Sequence, residues 1–171
     1  MFEHIDSLFI KQNSKYSTVY GANWQDLNWF SNSYLFAFEI LLEHCNKEIK
    51  HAQILFLPLT FIFRHYIEIK LKEISETMGL IDKTKKPRHD INELWINLSN
   101  TINESDKDFS IFSKLISELS KLDSNSMNFR YPTDTKFKKA LTFTEIDFEN
   151  FSIVSNKMSK FLESLSDYCE N

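Results

Sequence analysis

Four charged side chains interrupt an otherwise apolar stretch in the middle of this 171-residue chain. Arg64, Glu68 and Lys72 recur every four residues, and His65 lies three residues before Glu68. In a helix this spacing places all four at neighbouring positions of one surface. Two interpretations stay open: an ion-pair network that holds helices in register, or a cationic pocket in which Arg64 binds a phosphate and His65 transfers a proton.

A second segment places a histidine at the predicted start of a helix. Arg88 and His89 stand directly before Asp90, which has the pattern of an N-cap, with Glu93 three residues further on. A helix N-terminus disfavours a protonated histidine. His89 is therefore predicted to act as a neutral base or a hydrogen-bond donor, or else to pack in the loop against Trp95.

A third segment places an arginine between two aromatic residues, Phe129 and Tyr131. Arginine occurs only at positions 64, 88 and 130, and lysine supplies the other basic residues, so Arg130 indicates a role beyond solubility. Its planar guanidinium suits stacking and bidentate contact to a carboxylate or phosphate. The alternative is an anchor that pairs with Glu68 or with a helix C-terminus and fastens a long loop.

These segments define the candidate site residues. The catalytic candidates are Arg64, His65, His89 and Arg130, and the binding candidates are Glu68, Lys72, Arg88 and Tyr131. His4, His44 and His51 show no metal-ligand spacing with a cysteine or carboxylate, and the chain has no glycine-rich phosphate loop, so we expect neither a metal nor a cofactor.

Composition indicates a helical protein. Two glycines and three prolines allow few tight turns, and the apolar fraction of 42% argues against disorder. A net charge of -4 gives no overall attraction to nucleic acid or to an anionic membrane, so any such binding must use a local patch. Two cysteines make no disulfide framework and are typical of a cytoplasmic protein with reduced thiols, and no apolar stretch is long enough to span a bilayer.

Apolar periodicity predicts the elements that must position these residues. We expect an all-α, mostly antiparallel bundle of about five helices in a single domain over 1–171, with 1–22 as a loosely packed N-terminal segment. The predicted caps are Asn23, Asp90 and Asp147, with Pro58 in the first turn of the central helix and Gly79 as its stop. The predicted helices span about 23–47, 57–78, 91–102, 105 or 106 to 122, and 147–168. The segment 48–53 is predicted as a connection, with or without a helical turn of its own, and 141–144 as a short extended piece.

The ordered set of motifs resembles a known superfamily. It consists of FRHYIEIKLK, then RHDINELW, then FRYPTD, then a closing helix that opens with IDFENF. Over about 23–168 this resembles a bacterial branch of the HEPN-like helical proteins. The resemblance implies a bundle of roughly five helices that pairs as a homodimer. That superfamily includes metal-independent ribonucleases of toxin–antitoxin and anti-phage systems and also non-catalytic binding modules.

The chain departs from the catalytic members at their motif, an arginine followed after four to six residues by a histidine. The positions where that histidine would fall are Ile69, Lys70 and Leu71, then Glu93, Leu94 and Trp95, then Thr135, Lys136 and Phe137. Activity would therefore need an assembled site, with His65 or His89 as acid or base and Arg64 or Arg130 stabilising the phosphorane.

Three functional hypotheses follow. The first is a HEPN-like module of a bacterial defence or toxin–antitoxin system that binds RNA, a nucleotide or a partner defence protein through the His/Arg cluster. The second is a metal-independent ribonuclease in which the RNA 2′-hydroxyl attacks and leaves a cyclic phosphate. The third is a structural partner subunit whose exposed aromatics, Trp24, Trp29 and Phe30, cover another protein.

Overall fold

A computed structural model describes residues 26–81, 89–102, 106–124, 126–133, 139, 141 and 145–170. Across these ranges the chain forms five helices, which confirms the all-α prediction. They are α1 Leu27–Lys47, α2 Ile49–Thr77, α3 Ile91–Ile102, α4 Lys107–Leu122 and α5 Phe148–Glu170. None of these helices combines the length and the apolar character needed to cross a bilayer. The predictions for 1–22, for Asn23 and for most of 141–144 lie outside the described residues.

Aspartate side chains start four of the helices. The carboxylates of Asp26, Asp90, Asp106 and Asp147 each accept a hydrogen bond of 2.9 Å from a backbone N–H in the following turn. Such caps satisfy N–H groups that have no partner inside the helix. The predicted starts at Asp90, Asp106 and Asp147 are confirmed. The first helix begins later than predicted, with Asp26 as its cap.

The central helix α2 begins eight residues before its predicted start. Glu48 alone separates it from α1, so the connection predicted over 48–53 is wrong, and Pro58 lies inside the helix rather than in its first turn. The hydrogen bond that Pro58 cannot donate would reach the carbonyl of Ile54, a residue exposed to solvent. Water can satisfy that carbonyl, so the helix continues through the proline. The predicted stop is confirmed, since Gly79 adopts a positive φ of 69° after the last turn.

Helices α1 and α2 pack antiparallel as a hairpin. Phe38 of α1 lies against Phe63 of α2 with ring centres 4.6 Å apart, and Ser31 donates to Glu73 further from the turn. Both phenylalanines are buried. This pairing places one face of α2 against α1 over most of its length.

The other helices cover the remaining faces of α2. Helix α5 runs parallel to it, since Phe151 contacts Phe56 near the start of both helices and Cys169 contacts Met78 near their ends. Helices α3 and α4 form a second hairpin centred on Trp95, and α3 packs on α2. The central helix is therefore contacted from three sides, as its apolar surface predicts.

Candidate functional site

Arg64 lies at the centre of a buried ion network that joins α2 to two loops. Its side chain has no exposed surface. Its Nη1 donates to Glu68 Oε2 at 2.8 Å, its Nη2 to the carbonyl of His89 at 2.6 Å, and its Nε to the carbonyl of Asp123 at 2.9 Å. Every nitrogen of the guanidinium thus has a partner inside the protein. A phosphate in solvent cannot reach it, and we assign Arg64 to the scaffold.

Glu68 carries the network from the interior to the surface. Its residue is 2% exposed, and its Oε1 lies 2.7 Å from Nζ of Lys72 and 2.8 Å from Nδ1 of His89. Because the carboxylate accepts, Nδ1 of His89 carries a proton. The side chain of His89 is 63% exposed. Glu68 therefore holds Lys72 and His89 at the edge of the core.

Asp123, just after α4, closes the inner side of the network. It is fully buried, and its Oδ1 accepts from the backbone N–H groups of Met127 at 2.6 Å and Asn128 at 2.9 Å. Its Oδ2 lies 3.5 Å from Nε of Arg64 and has no hydrogen-bond partner. One aspartate thus folds the loop after α4 and binds it to the central helix. We call Arg64, Glu68, Lys72, His89 and Asp123 the Arg64 network.

The protonation of Glu68 follows from these contacts. Burial alone raises its pKa, but the hydrogen bonds from Lys72, Arg64 and His89 outweigh burial and lower the pKa from its ordinary value of 4.5 to about 2. The folded protein therefore favours the carboxylate over the acid.

We expect this preference to appear as acid sensitivity. The pKa of Glu68 in the fold is lower than in the unfolded chain, so its contribution to stability is complete above about pH 4.5 and disappears as the pH falls towards about 2. The free energy of unfolding of wild type and Glu68→Gln, measured by urea titration at several pH values, tests this. The difference in unfolding free energy between wild type and Glu68→Gln should become smaller as the pH falls from about 4.5 towards about 2. A difference that stays constant over this range would contradict the expectation.

His65 lies beside the network and is held by aromatic rings. Its ring contacts Tyr34 edge-on at 4.5 Å and lies parallel to Phe61 at 5.8 Å. Burial lowers its pKa; Glu68 opposes this effect, and nearby cations, including Arg130, add to it. The imidazole is therefore neutral at neutral pH, as a general base requires.

Arg130 lies on the surface near these residues. Its guanidinium is 5.3 Å from the centre of the Phe61 ring and 5.9 Å from that of Tyr131, and its Nε donates to the carbonyl of Ser126 at 2.5 Å. It pairs with neither Glu68 nor a helix C-terminus, and among the described residues no carboxylate lies within ion-pair distance. Tyr131 is 51% exposed, whereas Phe129, predicted as a stacking partner, is buried.

The structure therefore brings the predicted residues of α2 together with His89 and Arg130. Arg64 and Glu68 are inside, and Lys72, His65, His89, Arg130 and Tyr131 are at or near the surface. Arg88 lies outside the described residues. The functional roles of all these residues stay predictions.

Sequence reasoning missed a second buried network on another face of α2. Lys70, 2% exposed, lies 2.8 Å from Glu73 and 3.2 Å from Glu163 of α5. Hydroxyl groups of Ser31 and Ser166 also donate to Glu73. We call these residues the Lys70 network. This network joins α1, α2 and α5 through charged residues that the sequence pattern of an amphipathic helix predicts to be exposed to water.

The exposed aromatic surface predicted for a partner falls partly on α1. Trp29, Phe36 and Ile40 are each at least 40% exposed and lie on one side of that helix, and Phe30 is partly buried. Trp24 lies outside the described residues. A partner and a homodimer stay predictions.

Among the described residues, no three His, Cys, Asp or Glu side chains are placed to hold a metal ion. Comparison with family models, with curated proteins and with solved structures finds no match to this chain.

Proposed function

We propose that this chain is a HEPN-like binding module of a bacterial defence or toxin–antitoxin system that binds RNA at its surface. The binding groups are two cations, Lys72 and Arg130, and the imidazole of His89, which we together call the cationic rim, with the exposed ring of Tyr131. The buried members of the Arg64 network, Arg64, Glu68 and Asp123, position them and do not themselves touch the ligand.

The observation that carries this proposal is the contrast between the two arginines. Arg64 has no exposed surface and a partner for each nitrogen, whereas Arg130 is exposed and has no carboxylate partner among the described residues. A guanidinium held beside aromatic rings suits a phosphate together with a stacked base. Arg130 is the residue of the cluster best placed for that contact.

Local charge supports binding in a chain that is negative overall. Glu68 and Asp123 balance Arg64 and Lys72, so Arg130 adds a net positive charge to this part of the surface. Few phosphates can be neutralised there. The logarithm of the binding constant should therefore fall only weakly with the logarithm of the salt concentration, with a slope of roughly -0.7 for each phosphate contacted.

One observation favours a second candidate, a metal-independent ribonuclease. The carboxylate of Glu68 orients the imidazole of His89 at 2.8 Å through Nδ1, so Nε2 of the exposed neutral ring would be the nitrogen that accepts a proton. A carboxylate orients a catalytic histidine base in the same way. The missing Arg-to-His motif weighs against cleavage.

Loss of Arg130 is expected to weaken RNA binding by about tenfold, near 1.4 kcal/mol, because both a phosphate contact and a stacking surface disappear. The measurement is fluorescence anisotropy of a labelled single-stranded RNA with wild type, Arg130→Ala and Arg130→Lys. Lysine keeps the charge but not the planar group, so Arg130→Lys should bind with intermediate affinity.

Lys114→Ala is the matched control. Lys114 is 77% exposed on α4, outside the rim, and its loss removes the same charge. Its affinity should stay within about twofold of wild type, and melting curves should show that all variants are folded. Equal affinities for Arg130→Ala and Lys114→Ala, or no binding by wild type, would overturn the proposal.

The same mixtures, separated on a denaturing gel, distinguish binding from cleavage. Intact RNA is the expected result. Cleavage by wild type that leaves cyclic phosphate ends and is lost in His89→Ala would replace the binding module by the ribonuclease.

A further inference from the structure

Two histidines outside the Arg64 network meet where the first two helices join. His44 lies in the last turn of α1 and His51 in the first turn of α2, on either side of Glu48. The backbone N–H of Glu48 donates to the carbonyl of His44 at 3.0 Å, and the N–H of His51 donates to the carbonyl of Glu48 at 2.8 Å. The helix hairpin thus fixes both backbone positions.

The two imidazoles are joined nitrogen to nitrogen. Nε2 of His44 lies 2.8 Å from Nδ1 of His51, with ring planes 9° apart and ring centres separated by 4.9 Å. This separation fits rings linked in line by an N–H···N hydrogen bond better than rings stacked face to face. One nitrogen donates and the other accepts, so a single proton lies between two potential metal ligands.

We propose that His44 and His51 form a binding site for a divalent transition metal of the zinc and copper class, in which the ion replaces the shared proton. Imidazole nitrogen is a favoured ligand of these ions, at about 2.0–2.1 Å. Two such nitrogens around one ion lie about 3 Å apart, so the present pair needs only a small separation and a turn of each ring.

The surroundings permit that adjustment. His44 is exposed and His51 is partly exposed, so the rings can turn without disturbing the core. No third His, Cys, Asp or Glu of the described residues completes a cluster here, and water supplies the remaining ligands. The ring that donates the shared proton loses it to solvent and gains one at its other nitrogen, so both imidazoles bind the ion as neutral ligands and no electron transfer is involved. Bound metal would fasten α1 to α2 at their turn.

The site is tested with Zn²⁺ alone on untagged protein by isothermal titration calorimetry. Wild type is expected to bind one equivalent. His44→Ala and His51→Ala should each bind at least about tenfold more weakly, since even loss of a supporting partner costs that much at metal sites. His89→Ala is the matched control, because it removes an exposed histidine that contacts Glu68, far along α2 from His51, and it should bind Zn²⁺ as wild type does.

Two further readouts separate a site from loss of folding. Zn²⁺ should raise the melting temperature of wild type and of His89→Ala but not that of His44→Ala or His51→Ala, which should melt normally without metal. Cu²⁺ bound to wild type should show nitrogen couplings in electron paramagnetic resonance. Zn²⁺ binding that survives when His44→Ala and His51→Ala are combined, or no uptake by wild type below about 0.1 mM, would overturn the proposal.

Discussion

Replacing Arg64 by methionine is expected to lower the free energy of unfolding by about 3–5 kcal/mol. The side chain has no exposed surface, and it supplies donors to Glu68 and to the carbonyls of His89 and Asp123. Methionine fills much of the space but leaves a buried carboxylate and two carbonyls without these donors. Urea unfolding followed by tryptophan fluorescence and by circular dichroism measures the loss.

A second substitution tests the cause of that loss. In the double variant Arg64→Met with Glu68→Gln the uncompensated charge is absent, so part of the stability should return. Lys114→Ala, which breaks only an exposed ion pair on α4, should change stability by less than about 1 kcal/mol. If Arg64→Met and Lys114→Ala cost the same, the Arg64 network does not hold the fold.

The second large effect is expected at the Lys70 network. Lys70→Met removes the cation that lies between Glu73 and Glu163, and Glu73 is only 5% exposed. Removing one partner of a buried ion pair costs about 3–5 kcal/mol, because the remaining charge has neither water nor a counter-ion. Thermal unfolding of Lys70→Met against wild type measures the effect.

Lys72, the next lysine along α2, provides the control for Lys70→Met. Lys72 also pairs with a glutamate, but its side chain is 19% exposed, so Lys72→Met should cost clearly less than Lys70→Met. Combining Lys70→Met with Glu73→Gln should restore part of the stability. Equal losses for Lys70→Met and Lys72→Met would show that the depth of Lys70 has no energetic importance.

Much of the fold could be predicted because its signals are local. The third helix was predicted over its full observed length, since Asp90 marks its start and the spacing of Ile91, Trp95 and Leu98 marks its buried face. The start of α2 could not be located from such signals. Proline is common in the first turn of a helix, so Pro58 predicts a helix start close to it, and Glu48 carries no turn signal. The sequence therefore predicts a longer connection between α1 and α2 than the single residue, Glu48, that joins them.

The candidate site was predictable only where charge interrupts an apolar pattern. Arg64 and Glu68 stand out in that way, and their pairing follows from the four-residue spacing. Lys70 and Glu73 occupy positions that an amphipathic helix usually turns to water, and only the packing of α1 and α5 buries them. Asp123 follows a helix with no periodicity to mark it. Its role depends on a contact 59 residues apart along the chain.

The two networks have related roles in the molecule. Both place charges of α2 in the interior, and each continues to a residue at the surface: His89 from the Arg64 network and Glu163 from the Lys70 network. Buried ion pairs of this kind fix the relative positions of helices and loops more than they add stability. We infer that the buried part of the Arg64 network holds the cationic rim in place.

The division between a buried and a binding arginine can be measured directly, because the chain has three arginines, at 64, 88 and 130. Their side-chain Nε–H signals in a ¹⁵N correlation spectrum, assigned with Arg64→Lys, Arg88→Lys and Arg130→Lys, report on each guanidinium while single-stranded RNA is added. We predict that the signal of Arg130 shifts and that of Arg64 stays in place. A shift of the Arg64 signal while that of Arg130 is unchanged would contradict the assignment of scaffold and rim.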